Sequence, residues 1–173
     1  MIPKSFRARF LLGFLACAGL LGYAFYVQFR LGIMPCNFCI LQRIAFAALA
    51  TVFLVGGVVA PKSQAARRGL VVLALVAAVA GAGVALRHVW VQYFPPAVSD
   101  CLVTMSVDMP TSMLGRLLKK VLTASGDCSS INWTFLGLTM PAWCALWFVA
   151  LGAWAVFAGW RRSDRKFTAR SLK

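Results

Sequence analysis

The stretch Met34-Pro35-Cys36-Asn37-Phe38-Cys39-Ile40-Leu41-Gln42-Arg43 opens a long apolar run. It sets two cysteines three positions apart and an arginine four positions after the second. Pro35 stands just ahead of a helix predicted to begin near Cys36, where the missing proline N–H costs nothing. Residues i, i+3 and i+7 of such a helix share one face, so Cys36, Cys39 and Arg43 are expected to point the same way. A helix N-terminus and a nearby guanidinium both favour thiolate over thiol. The stretch therefore reads as the makings of a redox site at the mouth of an apolar helix.

The rest of the chain says what kind of helix that is. Of 173 residues, 61% are hydrophobic, and the only acids are Asp100, Asp108, Asp127 and Asp164. Runs of ~20 apolar residues at ~1.5 Å each cross a hydrocarbon core of ~30 Å. Four such spans are predicted, at about Phe10–Phe29, Cys39–Ala60, Gly69–Trp90 and Met140–Trp160, making an all-α membrane protein in one four-helix domain. The loops on one side are residues 30–38 and the long segment 91–139. Lys4, Arg7 and Arg9 resemble the basic start of a signal peptide. The first run is too long for one, however, and no small-x-small cleavage site follows it, so it reads as a retained span.

A net charge of +14 would suit nucleic acid, but the basic residues sit at the ends of the apolar runs. Twelve of the eighteen lie in the N-terminus, the second loop and the C-terminal tail. By the positive-inside rule both termini are expected in the cytoplasm. Aromatic residues mark the opposite boundary, with Phe25, Tyr26 and Phe29 ending span one and Trp90, Tyr93 and Phe94 ending span three. Span three is rich in small residues, from Ala74 to Ala85, which lets neighbouring helices approach closely and places it inside the bundle. Within the long loop, Thr111–Thr123 alternates apolar and basic faces at helical spacing. It reads as a short amphipathic helix, either lying in the headgroup plane or packed on the bundle top.

Topology sorts the six cysteines. Cys17 and Cys144 fall within spans, where free cysteine acts as a small hydrophobe. Cys36, Cys39, Cys101 and Cys128 fall on the outer side. In an oxidising compartment such as a bacterial periplasm, four outer cysteines read as two disulfides. The natural connectivity is Cys36–Cys39 with Cys101–Cys128, because a CxxC pair closes easily. No metal site is expected: zinc would require Cys101 and Cys128 to reach the mouth of span two, and they form no second knuckle. Ile40 after Cys39 excludes a c-type haem motif. His88, the only histidine, ends span three. It reads by default as an interfacial polar group, with a second role as a hydrogen-bond donor beside an apolar cleft. Arg43 reads either as a snorkelling anchor or, one turn inside a span beside thiols, as a functional group.

These residues resemble the DsbB family, the disulfide bond formation proteins B of bacterial inner membranes. The likeness rests on Pro35-Cys36-x-x-Cys39 with Arg43, on His88 ahead of Cys101, and on Ala124-Ser125-Gly126-Asp127-Cys128. It extends through Trp133-x-Phe135-Leu136-Gly137-Leu138-x-Met140-Pro141-x-Trp143. The resemblance implies a thiol:quinone oxidoreductase that reoxidises a periplasmic thioredoxin-like protein of the DsbA type. It implies attack on Cys101–Cys128 by the partner thiolate and relay to Cys36–Cys39. Transfer to ubiquinone or menaquinone would follow, near Cys39 and Arg43, with His88 and Met140 also near the ring. Some members carry an acid where Gln42 stands; with a neutral neighbour, Arg43 is expected to be freer to stabilise thiolate. Two alternatives remain at this stage. One is a vitamin K epoxide reductase-like quinone reductase, although its CxxC usually opens a late span. The other is a non-enzymatic membrane subunit stapled by its disulfides.

Overall fold

The computed structural model describes residues 5–32, 35–94 and 134–160. Cys101, Cys128 and the amphipathic Thr111–Thr123 segment lie outside them, as does the basic C-terminal tail. Helices α1 (Phe6–Leu31), α2 (Asn37–Val59), α3 (Gln64–Tyr93) and α4 (Met140–Trp160) account for nearly all of the described chain. All four are long and apolar enough to cross a membrane. The exposed Val58, Val59, Val76, Val79, Leu86 and Val149 give the bundle an apolar exterior suited to lipid.

Local chemistry sets where each helix starts and stops. Ser5 caps α1, its Oγ accepting the Ala8 N–H at 3.2 Å, and Gly32 ends it with a left-handed φ of 65°. The helix thus starts a turn before the predicted Phe10, and Arg7 and Arg9 ride on its first turns. Arg9 lies over the Phe157 ring, 5.6 Å from its centroid, which gives a cation near the end of an apolar bundle a favourable partner. Cys36 is the N-cap of α2 rather than its first residue. At 30 residues, α3 measures about 45 Å and outruns a ~30 Å core. Its extra turns carry Arg67 and Arg68 at one end and Gln92 at the other. Arg67 Nε donates to the Pro61 carbonyl at 2.7 Å and the guanidinium lies over Phe6, closing the short α2–α3 connection.

A small hairpin precedes α4 inside what the sequence pattern leaves as loop. Strands β1 (Thr134–Phe135) and β2 (Leu138–Thr139) pair antiparallel, Thr134 opposite Thr139. The two turn residues, Leu136 and Gly137, have φ of 52° and 77°, the sign a tight two-residue hairpin requires. Pro141, second in α4, sits where its absent N–H is not needed.

The helices pack in sequence: α1 on α2, α2 on α3 and α3 on α4, with α1 and α4 touching more lightly. The core is a column of aromatic rings set into small-residue notches. Phe46 of α2 stacks on Phe148 of α4 at 4.0 Å between centroids, and Phe10 of α1 meets Phe53 of α2 edge-on at 5.4 Å. Ala74, Ala78 and Ala85 of α3 are buried, and a Cβ added at Gly81 would fall on the Phe148 ring. Cys17 is buried in this core and Cys144 packs against it, both as small apolar groups.

Gly81→Ala should therefore lower stability by about 1–3 kcal/mol, the usual cost of overpacking. Denaturant unfolding of the detergent-solubilised protein reads this directly, and Phe148→Leu in the same chain should restore part of the loss. An unchanged midpoint for Gly81→Ala would mean that α3 and α4 do not meet there.

Candidate functional site

The C-terminal end of α3 meets the N-terminal ends of α2 and α4 at one end of the bundle, within the aromatic boundary formed by Phe25, Tyr26, Trp90 and Tyr93. Cys36 caps α2, and its Sγ accepts the Cys39 N–H at 3.4 Å. The Cys36 thiol donates to Cys39 Sγ, the two sulfurs 3.0 Å apart. The N-cap position holds Cys36 Sγ against the unsatisfied amides of the first helical turn, the positive end of the helix dipole.

From α3, His88 brings Nε2 to 3.7 Å from Cys36 Sγ. Its ring stacks on Phe38 at 5.3 Å, and its Nδ1 lies 3.3 Å from Gln42 Nε2. His88 and Gln42 are only 3% and 4% exposed. With the Gln42 amide donating to Nδ1, the remaining ring proton lies on Nε2, facing the Cys36 sulfur. Phe38, Leu41 and Val91 form a small buried cluster around this pair, with Val84 and Cys36 packed against it. A buried imidazole thus has the Gln42 amide on one nitrogen and the Phe38 ring against its face, with its other nitrogen aimed at a thiol.

Arg43 makes its bonds elsewhere. Its guanidinium donates to the Gln28 side-chain oxygen and, at 3.1 Å, to the Ala24 carbonyl, and it lies over the Phe25 ring. All three partners belong to α1, so Arg43 ties α1 to α2 one to two turns below the thiols. Gln42 is turned toward α3, not toward Arg43, because consecutive helical residues diverge by about 100°. The freedom of Arg43 is accordingly set by Gln28 rather than by position 42. Met140 opens α4, half-buried, directly after the buried Thr139.

Three polar residues of this end escape a reading based on motifs, Gln28, Gln92 and Thr139, and Gln42 enters it only as a neutral neighbour of Arg43. The available signal is an uncharged amide within or at the end of an apolar run, which must find a partner in a low-dielectric medium. Gln28 and Gln42 have done so. Gln92 Oε1 and Thr139 Oγ1 are buried and find no hydrogen-bond partner among the described residues.

The family profile of "Disulfide bond formation protein DsbB" matches residues 6–158. The chain belongs to the DsbB family. That match reaches into all four helices and includes Cys36, Cys39, Cys101 and Cys128. Relatives named disulfide bond formation protein B include one from Xanthomonas axonopodis pv. citri (strain 306), 52% identical over 158 residues that cover 91% of this chain and 92% of the relative. The protein from Xanthomonas campestris pv. campestris (strain 8004) is 52% identical over 164 residues, covering 94% and 95%. That from Xylella fastidiosa (strain 9a5c) is 42% identical over 163 residues, covering 94% of each chain. The four-span, all-α architecture expected from the sequence is the architecture of this DsbB family member.

Gln42→Leu should remove the amide partner of the buried His88 Nδ1, at a cost of about 1–3 kcal/mol. In a His88→Phe background the same substitution should cost much less. Thermal unfolding of the four proteins of this cycle measures the coupling, and strictly additive losses would show that the two side chains do not interact.

Proposed function

We propose that this chain is an inner-membrane thiol:quinone oxidoreductase that returns a DsbA-type dithiol partner to its disulfide form. The observation that carries the reading is the Cys36–Cys39 pair, with sulfurs 3.0 Å apart at the mouth of a membrane-length helix and a buried histidine beside it. A pair that served only as a staple would not need an imidazole aimed at one sulfur. The family membership favours this reading over a vitamin K epoxide reductase-like one.

The exchange chemistry balances as two successive transfers. A thiolate of the partner attacks the Cys101–Cys128 disulfide, and the partner's second thiol resolves the mixed disulfide, so the partner is oxidised and Cys101 and Cys128 are reduced. Those thiols then reduce Cys36–Cys39 by the same exchange. A ubiquinone or menaquinone, when bound, would supply the sink for the two electrons and two protons that Cys36 and Cys39 give up on returning to the disulfide. The residues present fit such a ring. Phe38, Leu41 and Val91 offer an apolar surface, and the Gln92 and Thr139 oxygens are polar groups with no hydrogen-bond partner among the described residues. Arg43, His88 and Met140 are the residues that would hold it, at the depth where lipid-soluble molecules reach the bundle.

Within this scheme the chain's own side chains have distinct tasks. The first turn of α2 stabilises a thiolate at Cys36 through its amides. His88, held by Gln42 and Phe38, offers its Nε2 proton to that sulfur. Arg43 places a permanent positive charge in the apolar mouth, its orientation set by Gln28 and the Ala24 carbonyl. The basic residues of the N-terminus, the α2–α3 connection and the tail support cytoplasmic termini, which puts the thiols on the periplasmic side.

Three outcomes test the reading. A reporter active only in the cytoplasm should work when fused after Lys173 and fail when inserted near Asp108; the reverse pattern would overturn the orientation. Replacing Cys128 with serine should let Cys101 accumulate in a mixed disulfide with a partner lacking its resolving cysteine, visible on a non-reducing gel. Adducts formed only through Cys36 would rule out the two-pair relay. Arg43→Leu should leave both disulfides able to form and exchange, yet slow quinone reduction by roughly 10²-fold. Arg43→Lys should recover only part, since it keeps the charge and loses the planar fork. The assay is quinone reduction driven by a reduced thioredoxin-like donor, with quinone varied. Parent rates at every quinone concentration would make Arg43 an interhelical tie alone.

A further inference from the structure

We propose that in its dithiol form the Cys36–Cys39–His88 cluster is a binding site for a thiophilic divalent cation of the Zn²⁺ class. The Sγ atoms of Cys36 and Cys39 and a ring nitrogen of His88 all lie within 4.8 Å of one another. A tetrahedral zinc ion, with Zn–S of about 2.3 Å and Zn–N of about 2.0–2.1 Å, sets its ligand atoms roughly 3.3–3.8 Å apart. The Cys36 Sγ to His88 Nε2 separation of 3.7 Å already falls in that range. The sulfurs, at 3.0 Å, need only part by under about 1 Å, within reach of a small side-chain rotation. A CxxC pair beside a helix N-terminus is half of a zinc knuckle. The third ligand comes from 52 positions beyond Cys36, which is why spacing along the chain does not reveal it.

The surroundings suit a metal in two further ways. Two thiolates and a neutral imidazole around a divalent cation carry no net charge, so the loaded site can sit among Phe38, Leu41 and Val91 without an uncompensated buried ion. The second requirement is a partner for the far nitrogen of the ligating histidine. Gln42 provides it, and its amide serves either tautomer. With Nε2 donating its lone pair to the metal, the amide turned by half a rotation accepts the Nδ1 proton through its oxygen. Three protein ligands leave a fourth position for water or an anion.

Loading is not a redox step. Two thiols give up two protons, two metal–sulfur bonds form, and no electrons move. The disulfide offers no thiolates and does not bind. The cation therefore holds the pair reduced. On the proposed function (on which this consequence alone rests) it would withhold the dithiol from quinone and act as an inhibitor selective for the reduced enzyme.

The test uses the full-length protein in detergent, reduced with a phosphine, with Cys101→Ser, Cys128→Ser and Cys144→Ala so that only the α2 pair remains at this end. Zn²⁺ alone is titrated against a chromophoric chelator. One ion per chain should bind, with proton release into weak buffer, and the oxidised protein should bind none. Co²⁺ in place of Zn²⁺ should give the intense visible bands of a tetrahedral thiolate site. His88→Ala should weaken binding by at least 100-fold, and Gln42→Leu by about 10–100-fold, the usual effect of removing a partner of a ligating histidine. Far-UV circular dichroism of each variant checks that the helices persist. If His88→Ala disturbs them, His88→Gln and Cys36→Ser make the same test.

Equal affinity in parent and His88 variants, or no binding to the reduced pair, would overturn the site. Quinone reduction without added metal is measured on the parent protein, which carries all its cysteines and is purified in the same way. Metal binding in a protein that does not reduce quinone would leave the site standing and refute the functional reading. Turnover without metal binding would do the opposite.

Discussion

The close approach of α3 to its neighbours is the constraint on which the thiol site depends. His88 reaches Cys36 only because α3 can lie against α2 and α4 along a strip that carries almost no side chain: Ala74, Ala78, Gly81 and Ala85. In lipid, helix association gains little from the hydrophobic effect and rests on close packing instead. The notch at Gly81 accepts the Phe148 ring, which stacks in turn on Phe46 of α2. One glycine thereby registers three helices. Two turns further along α3 the same registration delivers a histidine to a cysteine pair on another helix.

Polar groups in such a bundle must be satisfied by one another. Gln42 and His88 pair across α2 and α3, and Arg43 with Gln28 and the Ala24 carbonyl across α1 and α2. These contacts tie three helices together at the thiol end of the bundle, and each would be costly to leave unmade away from water. The division of labour is uneven. His88 faces the thiols and Gln42 acts on them through it, whereas Arg43 spends its donors on α1. Any influence it has on the sulfurs or on a bound ring is therefore electrostatic, or follows from a change of partner.

Cys36 does two jobs with one atom. As N-cap it accepts an amide proton that would otherwise lack a partner, and as a thiol it is one half of a reactive pair. The arrangement links helix integrity to redox state, since the cap is strongest when the sulfur is a thiolate. The geometry that favours thiolate also favours a thiophilic metal. The proposed exchange chemistry and the proposed metal site are thus two uses of the same electrostatics. What distinguishes them is the oxidation state of the pair.

Much of this protein was legible in one dimension because its solvent is a bilayer. Four runs of apolar residues dictate four helices, since lipid leaves the backbone no other way to satisfy its own donors and acceptors. The CxxC, Arg43 and His88 are rare polar interruptions of those runs, and so stand out without any structure. The hairpin at 134–139 did not, because its strands are two residues long and its turn places Leu136, a poor signal, at positive φ. Which way each polar side chain turns was equally invisible. Helical periodicity puts Arg43 beneath the thiols, and a long flexible side chain then follows the strongest available acceptors, which α1 supplies. Periodicity likewise gives no reason to join Gln42 to His88, because they lie 46 positions apart. The sequence by itself determined the helices and the pair of thiols at the start of one of them, through apolar length and local spacing. Only the tertiary structure decided that a histidine would stand beside those thiols, because that depends on the register of two helices packed glycine and alanine against aromatic rings.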